Sequence, residues 1–221
     1  MKRSTLGIIG ITTALATVAA IRMGGWAVVA VESVPDYLVV GKPTELVFSV
    51  RQHGVTPMSD LSPTIVASSG RREITSRATL LPNARYRADL SVPETGTWRV
   101  VINTGFGRSR GTLLPIQALA SAPPTPITLT DADRGRVLFA AKGCVTCHIH
   151  GSVDVRGEVT DVGPELTDKR FAPTYLAQYL ADPSIKPANG TGARMPRPDL
   201  RGADIPLLVA FINAERKTAS R

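Results

Sequence analysis

The chain has 221 residues, 43% of them hydrophobic, 20% charged and 5% aromatic, with two cysteines and a formal net charge of +8. This is ordinary globular composition, which excludes a wholly disordered, a collagenous or a disulfide-framework protein, and the length allows one large domain or two small ones. Residues 1–23 contribute +3 through Lys2, Arg3 and Arg22, residues 24–126 hold ten basic and seven acidic side chains, and residues 127–221 hold thirteen and eleven. A charge spread so thinly makes no basic face, and nucleic acid is set aside as a partner.

At the N-terminus Lys2 and Arg3 precede an uncharged stretch of sixteen residues, 6–21. It is short for a spanning helix, which needs about 20 residues, and Val18 and Ala20 have the small-residue spacing that precedes a signal-peptidase cut. Residues 1–23 therefore read as an export signal, with an uncleaved membrane anchor through residues 5–21 as the alternative. Either places the body in the periplasm or on the outer face of the cytoplasmic membrane.

Residues 26–31, 37–40, 45–50, 63–67, 85–92, 97–102 and 112–116 are short runs rich in Val, Ile, Leu, Thr and aromatics. Turn signals such as Val40-Gly41-Lys42-Pro43 and Ser68-Ser69-Gly70 separate them. Arg85 to Leu90 alternates polar with apolar side chains, one face for a core and one for water. Strands at this spacing predict an antiparallel β-sandwich over residues 24–118. Pro123, Pro124 and Pro126 then interrupt pairing and mark 119–129 as a linker.

Beyond it the period changes. Thr130 or Asp131 caps a helix with Val137, Leu138 and Ala141 on its apolar face and Gly143 as its stop. A second helix is expected over 173–181, bounded by Pro183. A third is expected over 203–217, with Leu207, Leu208, Phe211 and Ile212 on one side and Arg216 and Lys217 at its negative end.

Cys144-Val145-Thr146-Cys147-His148 carries the chemistry. A C-x-x-C-H sequence fits c-type haem attachment: two cysteines reach the two vinyl groups of one porphyrin, and the adjacent His148 supplies an iron ligand. A reversible disulfide, half of a zinc site and chance are the competing readings. The first would open a helix in a βαβ unit, whereas this motif follows a helix, and zinc would need further ligands where only His150 and distant His53 remain.

With these residues in place, residues 127–221 resemble a class I cytochrome c domain. Gly135 and Phe139 match its first-helix pair, Phe211 its last-helix aromatic, and Gly163-Pro164-Glu165-Leu166 and Met195-Pro196 its two later motifs. The resemblance implies an all-α class I cytochrome c fold over residues 130–221 and one haem c held covalently by Cys144 and Cys147. His148 and Met195 would be the axial ligands, and the Pro164 carbonyl would orient the imidazole. Arg194 and Arg197 flank Met195 and would balance the propionates or face a partner. The plain readings make Pro164 a turn residue, Met195 a core filler and Phe211 a core aromatic, with His150 or an open position as rivals for the second axial site.

The runs Gly25 to Val29, Val50-Arg51-Gln52-His53-Gly54 and Gly96 to Val100 resemble the FixH-like or YtkA-like immunoglobulin-fold domains. The expectation is thus a two-domain, non-enzymatic electron carrier of a respiratory or photosynthetic chain, its immunoglobulin-like sandwich docking it to a redox partner or membrane complex. Two alternatives stand beside it. In one the sandwich is a copper or ligand sensor using His53 and Met58, and in the other an open iron position gives peroxidase-like activity.

Overall fold

The computed structural model describes residues 25–155, 160, 162–185 and 194–215. The expected export signal, Arg216 and Lys217 lie outside the described residues. Eleven strands come first: β1 (Ala27–Val31), β2 (Leu38–Val39), β3 (Thr44–Gln52), β4 (Thr56–Pro57), β5 (Thr64–Ser69), β6 (Arg72–Arg77), β7 (Thr79–Leu81), β8 (Arg85–Leu90), β9 (Gly96–Asn103), β10 (Arg110–Thr112) and β11 (Ile116–Leu119). One sheet runs β1-β3-β8-β7 with β4 beside β3, and the other runs β2-β11-β9-β5-β6 with β10 beside β9. All pairings are antiparallel except β2 with β11, where Leu38 lies opposite Ala118.

Alternation writes most of this. In β9 Trp98, Val100 and Ile102 are fully buried while Thr97, Arg99 and Asn103 turn outward or to the edge, and in β8 Tyr86, Ala88 and Leu90 do the same between Arg85, Arg87 and Asp89. The polar tips of the large aromatics are satisfied, as buried rings require. Trp98 Nε1 donates to the Glu94 carbonyl at 3.1 Å, and the Tyr86 hydroxyl donates to the Met58 carbonyl at 2.9 Å.

Strands β1 and β3 depart from the pattern. Their register sets Val28 opposite Arg51 and Ala30 opposite Ser49 on the face turned away from the sheet core. Yet Ala30 and Ser49 are buried, as are Val29, Val31, Phe48 and Val50 on the inner face. A strand covered on both faces has no reason to alternate, which is why Ala27-Val28-Val29-Ala30-Val31 is uniformly apolar.

The cover comes from the rest of the chain. Residues 120–130 form no strand or helix, and three short helices follow: α1 (Asp131–Ala141), α2 (Pro173–Ala181) and α3 (Asp204–Ile212). Thr130 caps α1, its hydroxyl accepting from the Asp133 backbone N–H at 3.1 Å. The expectation of an immunoglobulin-like sandwich followed by an all-α class I cytochrome c fold is corrected here. The protein is mostly β, two sheets curled into a half-barrel, and only short helices follow. Pro164, Pro183, Pro196 and Pro198 stop helix propagation and Pro173 opens α2, so much of the described stretch between α1 and α3 is irregular chain or three-residue 3-10 turn. Helix α3 ends at Ile212 rather than 217, where the Asn213 side chain accepts from the Phe171 N–H and donates to its carbonyl.

Two further expectations change. The strand over 112–116 is split between β10 and β11, because Pro115 has no N–H to give a ladder. Strands β6 and β7 are polar or exposed edge strands, which an apolar criterion passes over. Among the described residues no helix is long and apolar enough to cross a membrane.

Candidate cofactor site

Helix α1 ends at Ala141 with Lys142 as its C-cap, and Gly143 turns the chain at φ +74° onto the outer face of β1. A Cβ at Gly143 would overlap a Val28 methyl and stand 2.6 Å from the Val29 carbonyl oxygen, so only glycine allows this approach. A 3-10 turn over Cys144–Thr146 follows, and the Cys144 carbonyl accepts from the N–H groups of Cys147 at 3.2 Å and His148 at 2.9 Å. This turn leaves both thiols free and half-buried.

His148 Nδ1 lies 2.9 Å from the Pro164 carbonyl oxygen. A carbonyl only accepts, so Nδ1 carries the proton and Nε2 keeps its lone pair. The ring rests on Gly163, where a Cβ would stand 2.6 Å from Nδ1, and the Gly163 N–H donates to the Cys147 carbonyl at 3.0 Å. Thr160 ties the next loop back, its N–H and hydroxyl both donating to the Thr146 carbonyl.

Electrostatics follow from burial. It pushes the Cys144 thiol up to about 12, assisted by the neighbouring Cys147. Burial also raises Cys147, against a weak hydrogen bond from Thr160, and lowers His148 against the pull of the Pro164 carbonyl. All three groups are held in their neutral forms.

Beside them opens a mostly apolar pocket of about 60 Å³. Its walls come from three places: Val28, Ala30, Arg51 and Gly54 of the β body; Lys142 to Cys144, Cys147 and His148; and Met195 to Asp199. The structure therefore brings Cys144, Cys147, His148 and Met195 to one cavity, with Pro164 behind the imidazole. Two contacts hold the Met195 segment to the sheet. Ser49 Oγ donates to Asp199 Oδ2 at 3.1 Å, and Pro196 packs so tightly on Gly54 that a Cβ there would come within 2.7 Å of the proline ring.

The end of α1 is locked by charge. Lys142 Nζ lies 3.3 Å from Asp204 Oδ2 at the start of α3 and donates to the Glu32 carbonyl at 3.2 Å, with the two side chains only 3% and 2% exposed. Arg201 supports the carboxylate through its backbone N–H at 2.9 Å and its guanidinium at 3.1 Å. Helices α1 and α3 cross where Gly135 meets the Leu207 carbonyl, and Phe139 and Phe211 touch with ring centroids 5.5 Å apart. His150 lies in that aromatic cluster, 4.3 Å from the Phe211 ring, its Nδ1 accepting from the Ser152 N–H.

Other candidates are elsewhere. Met58 packs against the β core and the exposed His53 ring sits 5.3 Å from Trp26. Arg194 and Arg197 are exposed, and Arg197 borders the pocket. Among the described residues, no group of three or more His, Cys, Asp or Glu is placed to hold a metal ion. Sequence reasoning missed the β-sheet wall of Val28, Ala30 and Arg51, and the Lys142–Asp204 pair. The signal for the first was the absence of alternation in β1; the second had none, since the partners are far apart in the chain and each looks like a surface charge. No protein-family model matches this sequence, and no curated protein matches it significantly.

Proposed function

We propose that the protein is an exported one-electron carrier of a respiratory or photosynthetic chain. It would hold one haem c through Cys144 and Cys147, with His148 and Met195 as axial ligands. The observation that carries this reading is the pocket that gathers two free thiols, an imidazole and a thioether, with the imidazole already turned by Pro164 and Gly163. That donor set fits a covalently held haem: neutral thiols three residues apart, a neutral imidazole with Nε2 open, and a soft sulfur in the same apolar cavity.

A haem c supplies an iron that takes up and releases one electron. The chain's own residues do the rest. Pro164 fixes the imidazole tautomer and raises its basicity, Met195 would supply the second, thioether ligand, and the sheet wall would exclude water. An electron carrier, rather than an enzyme, is the reading supported by the presence of Met195 in the same pocket lining as His148.

Haem staining after denaturing electrophoresis, on protein expressed with the attachment machinery, tests it. Wild type retains the stain and Cys144→Ser/Cys147→Ser loses it completely. Met195→Ala keeps the stain but gains carbon monoxide binding in the reduced state. Unstained wild type ends the proposal, and a wild type that binds carbon monoxide readily removes Met195 and the carrier role with it.

A further inference from the structure

The pocket wall contributed by the β body contains one cation whose position its own fold does not explain. Arg51 stands on the outer face of β3, opposite Val28 of β1, and lines the same cavity as Cys144, Cys147, His148 and Met195. Its Nε is buried and has no hydrogen-bond partner, and it makes no ion pair among the described residues. Buried donors are nearly always completed; Arg85 Nε is left in the same state, but its guanidinium is already paired with Glu32, whereas Arg51 stands in the pocket wall.

The neighbouring charges are accounted for. Lys142 is spent on Asp204 and the Glu32 carbonyl, and Asp199 accepts from Ser49 two residues before Arg51 on the same face of β3. Arg197 is exposed at the rim. Arg51 is thus the guanidinium set inside the pocket with a donor to spare, and a planar fork of this kind is built for carboxylates.

We infer that Arg51 is the anion-binding residue of the cofactor pocket, taking a carboxylate of the bound group, a haem propionate on the reading above. The β body is then part of the cofactor site and not only a module for docking. Its cation also favours the electron-rich state, because reduction removes one positive charge from the centre it faces.

The test compares Arg51→Gln and Arg51→Lys in two backgrounds, wild type and Cys144→Ser/Cys147→Ser. In the haem-bearing protein Arg51→Gln lowers the melting temperature and decreases the ratio of reduced to oxidised haem at a fixed redox poise on the order of tenfold. Arg51→Lys recovers part of both. In the cysteine-free background Arg51→Gln leaves the melting temperature unchanged or raises it, since an unpaired buried donor has been removed. Equal melting shifts in the two backgrounds, or an unchanged reduction curve, overturn the inference while leaving haem binding intact. Absence of covalent haem in wild type removes the underlying reading instead, and the inference falls with it.

Discussion

Asp204→Asn is expected to destabilise the protein by about 3–5 kcal/mol. The substitution leaves Lys142 buried with neutral oxygens beside it and no counter-ion among the described residues. A charged amine without its counter-ion in that position costs far more than an exposed pair such as Arg134–Asp36 contributes. The desolvation penalty of the intact pair is already large, so Lys142→Met combined with Asp204→Leu should cost less than Asp204→Asn alone. Urea midpoints at constant m-value check both, and a loss below about 1 kcal/mol for Asp204→Asn defeats the argument.

The same carboxylate gives a pH dependence. Burial pushes Asp204 up, but the backbone and side-chain hydrogen bonds of Arg201 and the charges of Lys142 and Arg201 outweigh it, and the net direction is down from 3.8. A carboxylate with a depressed folded-state pKa adds stability that is complete above the unfolded value and is lost as the pH falls through the folded one. Wild type should therefore lose stability in acid, below the ordinary carboxylate range, along a limb that Asp204→Asn lacks. Parallel acid limbs for the two proteins would assign that loss to other groups.

Gly143→Ala is expected to cost about 2–5 kcal/mol, made of about 1–2 for a left-handed residue and about 1–3 for the overlap with β1. Gly41 isolates the two parts, because it has nearly the same φ, +72°, while its Cβ would meet nothing within 4 Å. Gly41→Ala should show the backbone cost alone. The consequence reaches the site, since the Cys144–Thr146 turn rests on β1 through this glycine. Haem staining should fall for Gly143→Ala and stay at wild-type level for Gly41→Ala. Matching unfolding midpoints for the two variants would mean that β1 moves aside freely and is no fixed wall.

Much of the β body was legible because period-2 alternation is a local property. Trp98, Val100 and Ile102, like Tyr86, Ala88 and Leu90, declare one buried face within six residues. The bounds of α2 and the cap at Thr130 were legible for the same reason, as proline and a hydroxyl act on their own neighbours. The overall architecture was not. Three periodic segments suggested a self-contained helical fold; the short helices do pack on one another through Leu138, Phe139, Leu176, Leu180, Leu208 and Phe211, but Ala141 at the end of α1 joins the sheet core about a hundred residues earlier, which no local period announces. The chemical side chains announced themselves by spacing, from Cys144 to His148. Arg51 and Asp204 did not, because a guanidinium or carboxylate in a sequence reads as surface until the fold shows what covers it.

The contact between Ser49 and Asp199 spans 150 residues of chain. The outer faces of β1 and β3 must wait for that length of chain to arrive before they are covered. During that interval Val28 and Ala30 present an apolar surface at the edge of a sheet, since β1 ends its strand order. An uncovered apolar edge invites pairing with another chain. Until the segment carrying Asp199 closes on it that apolar face stays open to other chains, so the late contact protects the β body as well as building the pocket.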